Sequence, residues 1–147
     1  MPITIPDRKR VRITTTRKDQ LRRFGGVAAQ AFVNPCPVKI TGGVNGPRVN
    51  NVIRATSANK QKGYVGFLIA GDIEAGATLN EEAVAIVNGC VIDGFAGVVP
   101  GDDVWIDPTA TPAPEGVFSG LTHTDPATGA QPIGTGWTST RILIFAR

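Results

Sequence analysis

Apolar residues fall along this chain in runs of about four to eight, rich in Val, Ile and Thr and closed by Gly, Pro, Asn or Asp, a pattern that predicts strands. The strand candidates are Ala28–Val33, Val38–Ile40, Val49–Arg54, Tyr64–Ala70, Ala83–Val87, Cys90–Ile92, Asp103–Asp107, Gly116–Ser119 and Arg141–Ala146. Between breakers no 3.6-residue periodicity lasts beyond about two turns, so any helix is short. The fold class expected is mainly β, with a compact β-sandwich or β-barrel body.

Two runs are apolar on both faces: Phe67, Leu68 and Ile69, and again Ile142, Leu143, Ile144 and Phe145. Such strands are covered twice. The second cover is either a partner subunit or the domain's own loops, which makes Ile142, Leu143, Ile144 and Phe145 a candidate core or intersubunit strand. Asn88-Gly89, between Ala83–Val87 and Cys90–Asp93, predicts a type I′ hairpin, because both central residues of that turn need positive φ. A competing reading makes Asn80 the N-cap of a short helix with Glu81 and Glu82 in its first turn.

Charge divides the chain. Its 147 residues include 15 Lys+Arg and 12 Asp+Glu, for a net charge of +3. Arg8, Lys9, Arg10, Arg12, Arg17, Lys18, Arg22 and Arg23 are eight of those 15 bases, and only Asp7 and Asp19 oppose them, so this leader carries +6. The seven bases and ten acids that follow leave −3. Pro2 and Pro6 enforce extended backbone, and Val11 to Thr16 alternate like a strand, so residues 1–24 are expected to form an extended basic arm. At roughly 3.3 Å per residue it reaches up to about 75 Å, far enough to add a strand to a neighbouring molecule. Gly25-Gly26 reads as the hinge to a single β-rich domain, 25–147, large enough to bury a core without disulfide or metal.

Residues 108–132 hold five prolines among small polar residues and read as one long loop, a hairpin excursion in which Val117, Phe118 and Leu121 are tucked down and serve as its candidate contact residues. Chemistry is scarce. The only histidine is His123; Ser119 and Asp125 are near it in sequence, but a loop does not hold three groups at hydrogen-bond distance, so a solvated histidine is expected. The Asp102-Asp103 to Asp107 cluster lacks the alternating donors and closing Glu of a calcium loop and reads as turn plus strand. Gly42-Gly43, Gly94 to Gly97 and Gly134 to Gly136 match neither phosphate-binding glycine pattern and read as turns and bulges. Cys36 and Cys90 are too far apart in sequence for a redox pair or a zinc half-site, and are expected to be buried thiols. No catalytic residue, metal or cofactor is expected.

No run approaches the roughly 18 apolar residues of a membrane span, and charges occupy the N-terminus where a signal peptide needs an apolar core, so a cytoplasmic product is expected. Eight cations would bind phosphates in a salt-dependent way, which keeps a coat or nucleoid-type protein gripping nucleic acid as the alternative function. The leader has no aromatic residue among its charges for base stacking, and its Ile, Val and Thr suit pairing with a protein strand, so nucleic acid is disfavoured as a partner.

From Gly71 to Asp107 the chain runs Gly-Asp-Ile-Glu-Ala-Gly-Ala-Thr-Leu, a strand, Asn-Gly, Val-Ile-Asp-Gly, then Val-Pro-Gly-Asp-Asp-Val-Trp-Ile-Asp. A Pro-rich excursion, Pro132-Ile133-Gly134-Thr135-Gly136-Trp137 and the closing strand Arg141–Ala146 follow. This layout resembles the head decoration, or capsid cement, proteins of tailed bacteriophages, whose Gly-Asp turns lead into strands. The resemblance implies a non-enzymatic β protein, made in the host cytoplasm, that binds the major capsid protein on the virion exterior. It also implies a homotrimer, with the eight leader bases Arg8 to Arg23 as a capsid-binding arm. The long basic leader departs from the shorter members of that family.

Overall fold

The structure is a computed structural model and describes residues 2–6, 11–14, 23–24, 26–29, 31–32, 35–41, 48–51, 64–69, 71–79, 85–86, 90–107, 118–126 and 131–144. Among them there are strands and no helix, arranged in two seven-stranded sheets. The first sheet runs, in spatial order, β1 (Pro2–Thr4), β12 (Phe118–Thr122), β11 (Asp103–Ile106), β13 (Gly134–Gly136), β14 (Arg141–Ile144), β10 (Cys90–Asp93) and β2 (Arg12–Ile13). It is antiparallel throughout and curls into a half-barrel. The second runs β3 (Arg23–Phe24), β9 (Ala85–Ile86), β7 (Tyr64–Leu68), β5 (Cys36–Thr41), β6 (Arg48–Asn51), β4 (Gly26–Ala28) and β8 (Thr78–Leu79), with a parallel β4–β6 pair. The mainly β reading holds.

Alternation along the strands sorts side chains into two cores. Val104 and Ile106 of β11, Cys90 and Ile92 of β10 and Ile142 and Ile144 of β14 all point into the hollow of the half-barrel, where they join Leu121, Ile133, Phe95 and Val98. From the second sheet, Phe67 and Ile69 enter the same core, and Phe67 meets Phe95 edge to face at 5.7 Å. Leu68 points the other way, into a smaller core with Ala28, Phe32, Cys36, Val38 and Leu79. The doubly apolar run at 67–69 is thus covered on both faces from within the chain. Neither cysteine forms a disulfide, and both are buried, Cys90 in the larger core and Cys36 in the smaller, as expected.

The leader departs most from expectation. Ile3, Ile5 and Val11 are fully buried in the larger core, and the two strands they flank lie at opposite edges of the first sheet. Thr4 and Ala96 exchange backbone hydrogen bonds of 3.0 and 2.9 Å, Val11 N–H donates to the Ile69 carbonyl at 3.0 Å, and Thr14 N–H donates to the Val91 carbonyl at 2.8 Å. The Ser119 hydroxyl donates to the Ile3 carbonyl at 2.6 Å. Residues 2–6 and 11–14 therefore belong to the body and not to a free arm; the alternation that suits a neighbour's strand is satisfied by the chain's own β12 and β10. Burial of an Ile or Val side chain contributes roughly 1.5–3 kcal/mol, so holding three of them in water would forfeit a large part of a small domain's stability.

Three further readings change. The expected Asn88-Gly89 hairpin does not form, because β9 pairs in the second sheet and β10 in the first, so the chain crosses between sheets there. Asn88 and Gly89, like Asn80, Glu81 and Glu82, lie outside the described residues. The 108–132 excursion contains β12, a strand paired on both sides, and Leu121 in it is fully buried. Gly134 and Gly136 form strand β13 instead of a turn: a Cβ at Gly136 would collide with the Val99 carbonyl, so the absent side chain is what lets two backbones touch.

Ile5→Ala should lower stability by about 2–5 kcal/mol, read as a shift of the urea midpoint at constant slope. An unchanged midpoint would mean that the leader contributes nothing to the fold.

Candidate interaction surface

With β2 at the sheet edge, Arg12 stands beside Asp93 of β10, which in turn stands opposite Arg141 of β14. The three form a cross-strand row of alternating charge. Arg12 Nη2 is 3.3 Å from Asp93 Oδ2, and Arg141 Nε is 3.9 Å from Asp93 Oδ1, with the Asp93 side chain 16 % exposed and that of Arg12 75 % exposed. Burial pushes the Asp93 carboxyl upward, yet the Thr140 hydroxyl, the Gly94 N–H and the Arg141 and Arg12 guanidinium groups together outweigh it and hold the carboxyl below its ordinary value. Gly94, at φ +124°, turns the chain out of β10 directly against Val11, whose Cα would lie 3.3 Å from any Cβ placed there. Leader and body are thus in contact at this end of the sheet through charge and backbone alike.

Of the expected arm residues, Arg12 is described in full and is engaged with Asp93, and Arg23 is placed by its backbone in β3 opposite Ile86. Arg8, Lys9, Arg10, Arg17, Lys18 and Arg22 lie outside the described residues.

The other candidates resolve into core and scaffold. Ile142 and Ile144 are buried in the larger core, Leu143 on the opposite face is half-buried beside Val91 and Thr135, and Phe145 lies outside the described residues. Leu121 is a core residue and not a contact residue; Phe118 is placed by its backbone opposite Thr4, and Val117 lies outside the described residues. His123 lies half-buried in the bend that follows β12. Val99 N–H donates to its Nε2 at 2.9 Å and its Nδ1 faces the Asp103 carbonyl at 2.8 Å, so one neutral tautomer with the proton on Nδ1 satisfies both bonds. Ser119 spends its hydroxyl on Ile3 and accepts from Leu121 N–H at 3.2 Å, so Ser119 and His123 are each committed to backbone partners. Among the described residues no group of three or more His, Cys, Asp or Glu side chains is placed to hold a metal ion.

Sequence reading missed the exposed apolar corner. Val99 is 45 % and Trp137 55 % exposed, and they are the large hydrophobic side chains left in solvent among the described residues. Gly101 N–H donates to the Gly136 carbonyl and Gly136 N–H to the Asp102 carbonyl, each at 2.8 Å, which joins the turn holding Val99 to the one that begins at Trp137. A tryptophan set between Gly136 and a Thr-Ser-Thr turn was the available signal, since nothing in a tight polar turn can cover an indole. No family model, curated protein or solved structure matches the chain.

The Asp93 row has a defined pH signature. A carboxyl held below its ordinary 3.8 in the folded state adds stability that is complete above 3.8 and lost as pH falls through the lower folded value. The stability difference between wild type and Asp93→Asn should be constant near neutrality and disappear in acid; a difference that persists below that window would mean that the carboxylate charge is not what matters.

Proposed function

We propose that the chain is a structural virion protein that binds the outer surface of an assembled capsid and stabilises it by bridging capsid subunits. Three features support this reading. The turn-and-strand layout from Gly71 to Asp107 and from Pro132 to Ala146 resembles that of capsid cement proteins. The body is an all-strand double sheet with its leader built in, which suits a rigid part that carries load between subunits. The described polar side chains that nucleophilic chemistry would need, Ser119 and His123, are occupied in holding backbone.

The observation that carries the proposal is the separation of surface roles: a +6 leader pinned to the body at Pro2–Pro6 and Val11–Thr14, and an exposed apolar corner at Val99 and Trp137. The leader's charge captures an acidic shell by screened attraction. Many copies on one shell then multiply a modest contact. The same +6 also favours a second reading, in which the leader binds nucleic acid.

Removing residues 1–24 would remove Ile3, Ile5 and Val11 from the core, so charge reversal is the interpretable test. The full chain should co-sediment with expanded, undecorated capsid shells. The variant Arg8→Glu, Lys9→Glu, Arg10→Glu should bind several-fold more weakly at low salt, with the gap closing as salt rises. Failure of the wild type to co-sediment overturns the capsid reading, and salt-sensitive gel shifts of DNA or RNA would favour the second.

A further inference from the structure

One imidazole ties together three separate pieces of the first sheet. His123, in the bend after β12, accepts from the Val99 N–H through Nε2 at 2.9 Å and donates through Nδ1 to the carbonyl of Asp103, the first residue of β11, at 2.8 Å. A carbonyl only accepts and an amide N–H only donates, so these two partners fix both the charge and the tautomer of the ring: neutral, with its one proton on Nδ1. Val99 passes the restraint on. Asp102 N–H donates to the Val99 carbonyl at 3.2 Å, and the bonds of Gly101 and Asp102 to Gly136 carry it to the turn that begins at Trp137. The ring thus closes one end of the network that holds the exposed side chains of Val99 and Trp137 in place.

We propose that His123 is a pH-sensitive latch, whose protonation opens the 99–102 turn and loosens the apolar corner. The second proton must go to Nε2, because Nδ1 already carries one. Nε2–H then faces Val99 N–H, donor against donor, and that bond is lost, whereas the bond to the Asp103 carbonyl survives. Histidine is the side chain that ordinarily changes charge between about pH 5 and 8, so mild acid is the trigger.

The charges on the elements packed against the ring are acids. Asp102 and Asp103 stand on the β11 side and Asp125 on the ring's own segment, all three exposed. Among the described residues the 97–101 turn adds no charge, and neither does β1, whose Pro2 pairs with Thr122 beside the histidine. Arg141, the described base of this network, accepts from Trp137 N–H through its carbonyl, and its side chain faces Asp93 across β14 and β10. Charge that develops on the ring therefore develops among carboxylates and not beside a base. The latch needs no capsid, so it stands apart from the function proposed above.

Nitrogen NMR of the full chain reads the latch directly. At neutral pH the His123 ring should be the Nδ1–H tautomer, with a scalar coupling across the bond from Val99 N–H to Nε2. As the ring takes its second proton that coupling should vanish. Amide exchange at Val99 and Asp102, corrected for the intrinsic effect of pH, should then quicken by about three- to tenfold, the worth of one hydrogen bond, while the amides of β10 and β14 keep their protection. His123→Gln supplies an acceptor and a donor that do not titrate and leaves Asp102, Asp103 and Asp125 in place, so its turn should no longer respond to pH. An Nε2–H tautomer at neutral pH overturns the proposal, as does a ring that stays neutral down to about pH 5 in the folded chain. So does a turn whose exchange is unchanged when the ring is protonated, or a His123→Gln turn that loosens with acid as the wild type does, which would assign the effect to the carboxylates.

Discussion

The structure depends on the burial of three leader side chains. Ile3, Ile5 and Val11 fill a core whose other walls are the half-barrel and the Phe67–Ile69 segment at β7 of the second sheet, and the Val11 to Ile69 hydrogen bond ties the leader to the end of that strand. Without them β12 and β10 would become open edges, and Phe67, Phe95 and Ile92 would lose packing partners at once. The small size of the domain sharpens this constraint: one core supplies most of the stabilisation, and part of that core lies at the start of the chain.

This arrangement alters what the leader's charge can do. A free arm would trade reach for ordering entropy, which it must surrender on binding. A leader anchored at β1 and β2 has already surrendered it along those strands, where its base Arg12 is held beside Asp93. The row Arg12, Asp93, Arg141 belongs to the same design: each strand contributes one charge, and the order alternates so that the strands are held in register. An exposed pair of this kind adds only about 0–1 kcal/mol. Its value is in placement, since it sits beside the turn that carries Trp137.

Much of the fold was legible in the sequence because its signals are local. Short apolar runs bounded by turn residues at Asp103–Asp107, Cys90–Ile92 and Arg141–Ala146 marked strands, and the unbroken apolar run at Phe67–Ile69 marked a strand covered twice. What failed was pairing. Asn88-Gly89 marks a reversal without saying whether the next strand returns to the same sheet, and here it crosses to the other. The leader's alternation stated that one face would be buried but not against which molecule. Charge density made an outside partner the obvious choice, while Ile3 and Ile5 before the bases and Val11 among them had already made the inside one. The exposed corner was hidden because it comes from two turns distant in sequence and joined only through Gly136.

The central claim, that the leader is part of the body in the isolated chain, is read most directly from amide hydrogen exchange at Thr4, Val11 and Thr14, whose N–H groups donate to Ala96, Ile69 and Val91. The account requires these amides to exchange as slowly as those of β10 and β14, at the rate set by opening of the whole domain. Exchange at the rate of an unstructured peptide, with β10 and β14 still protected, would contradict it.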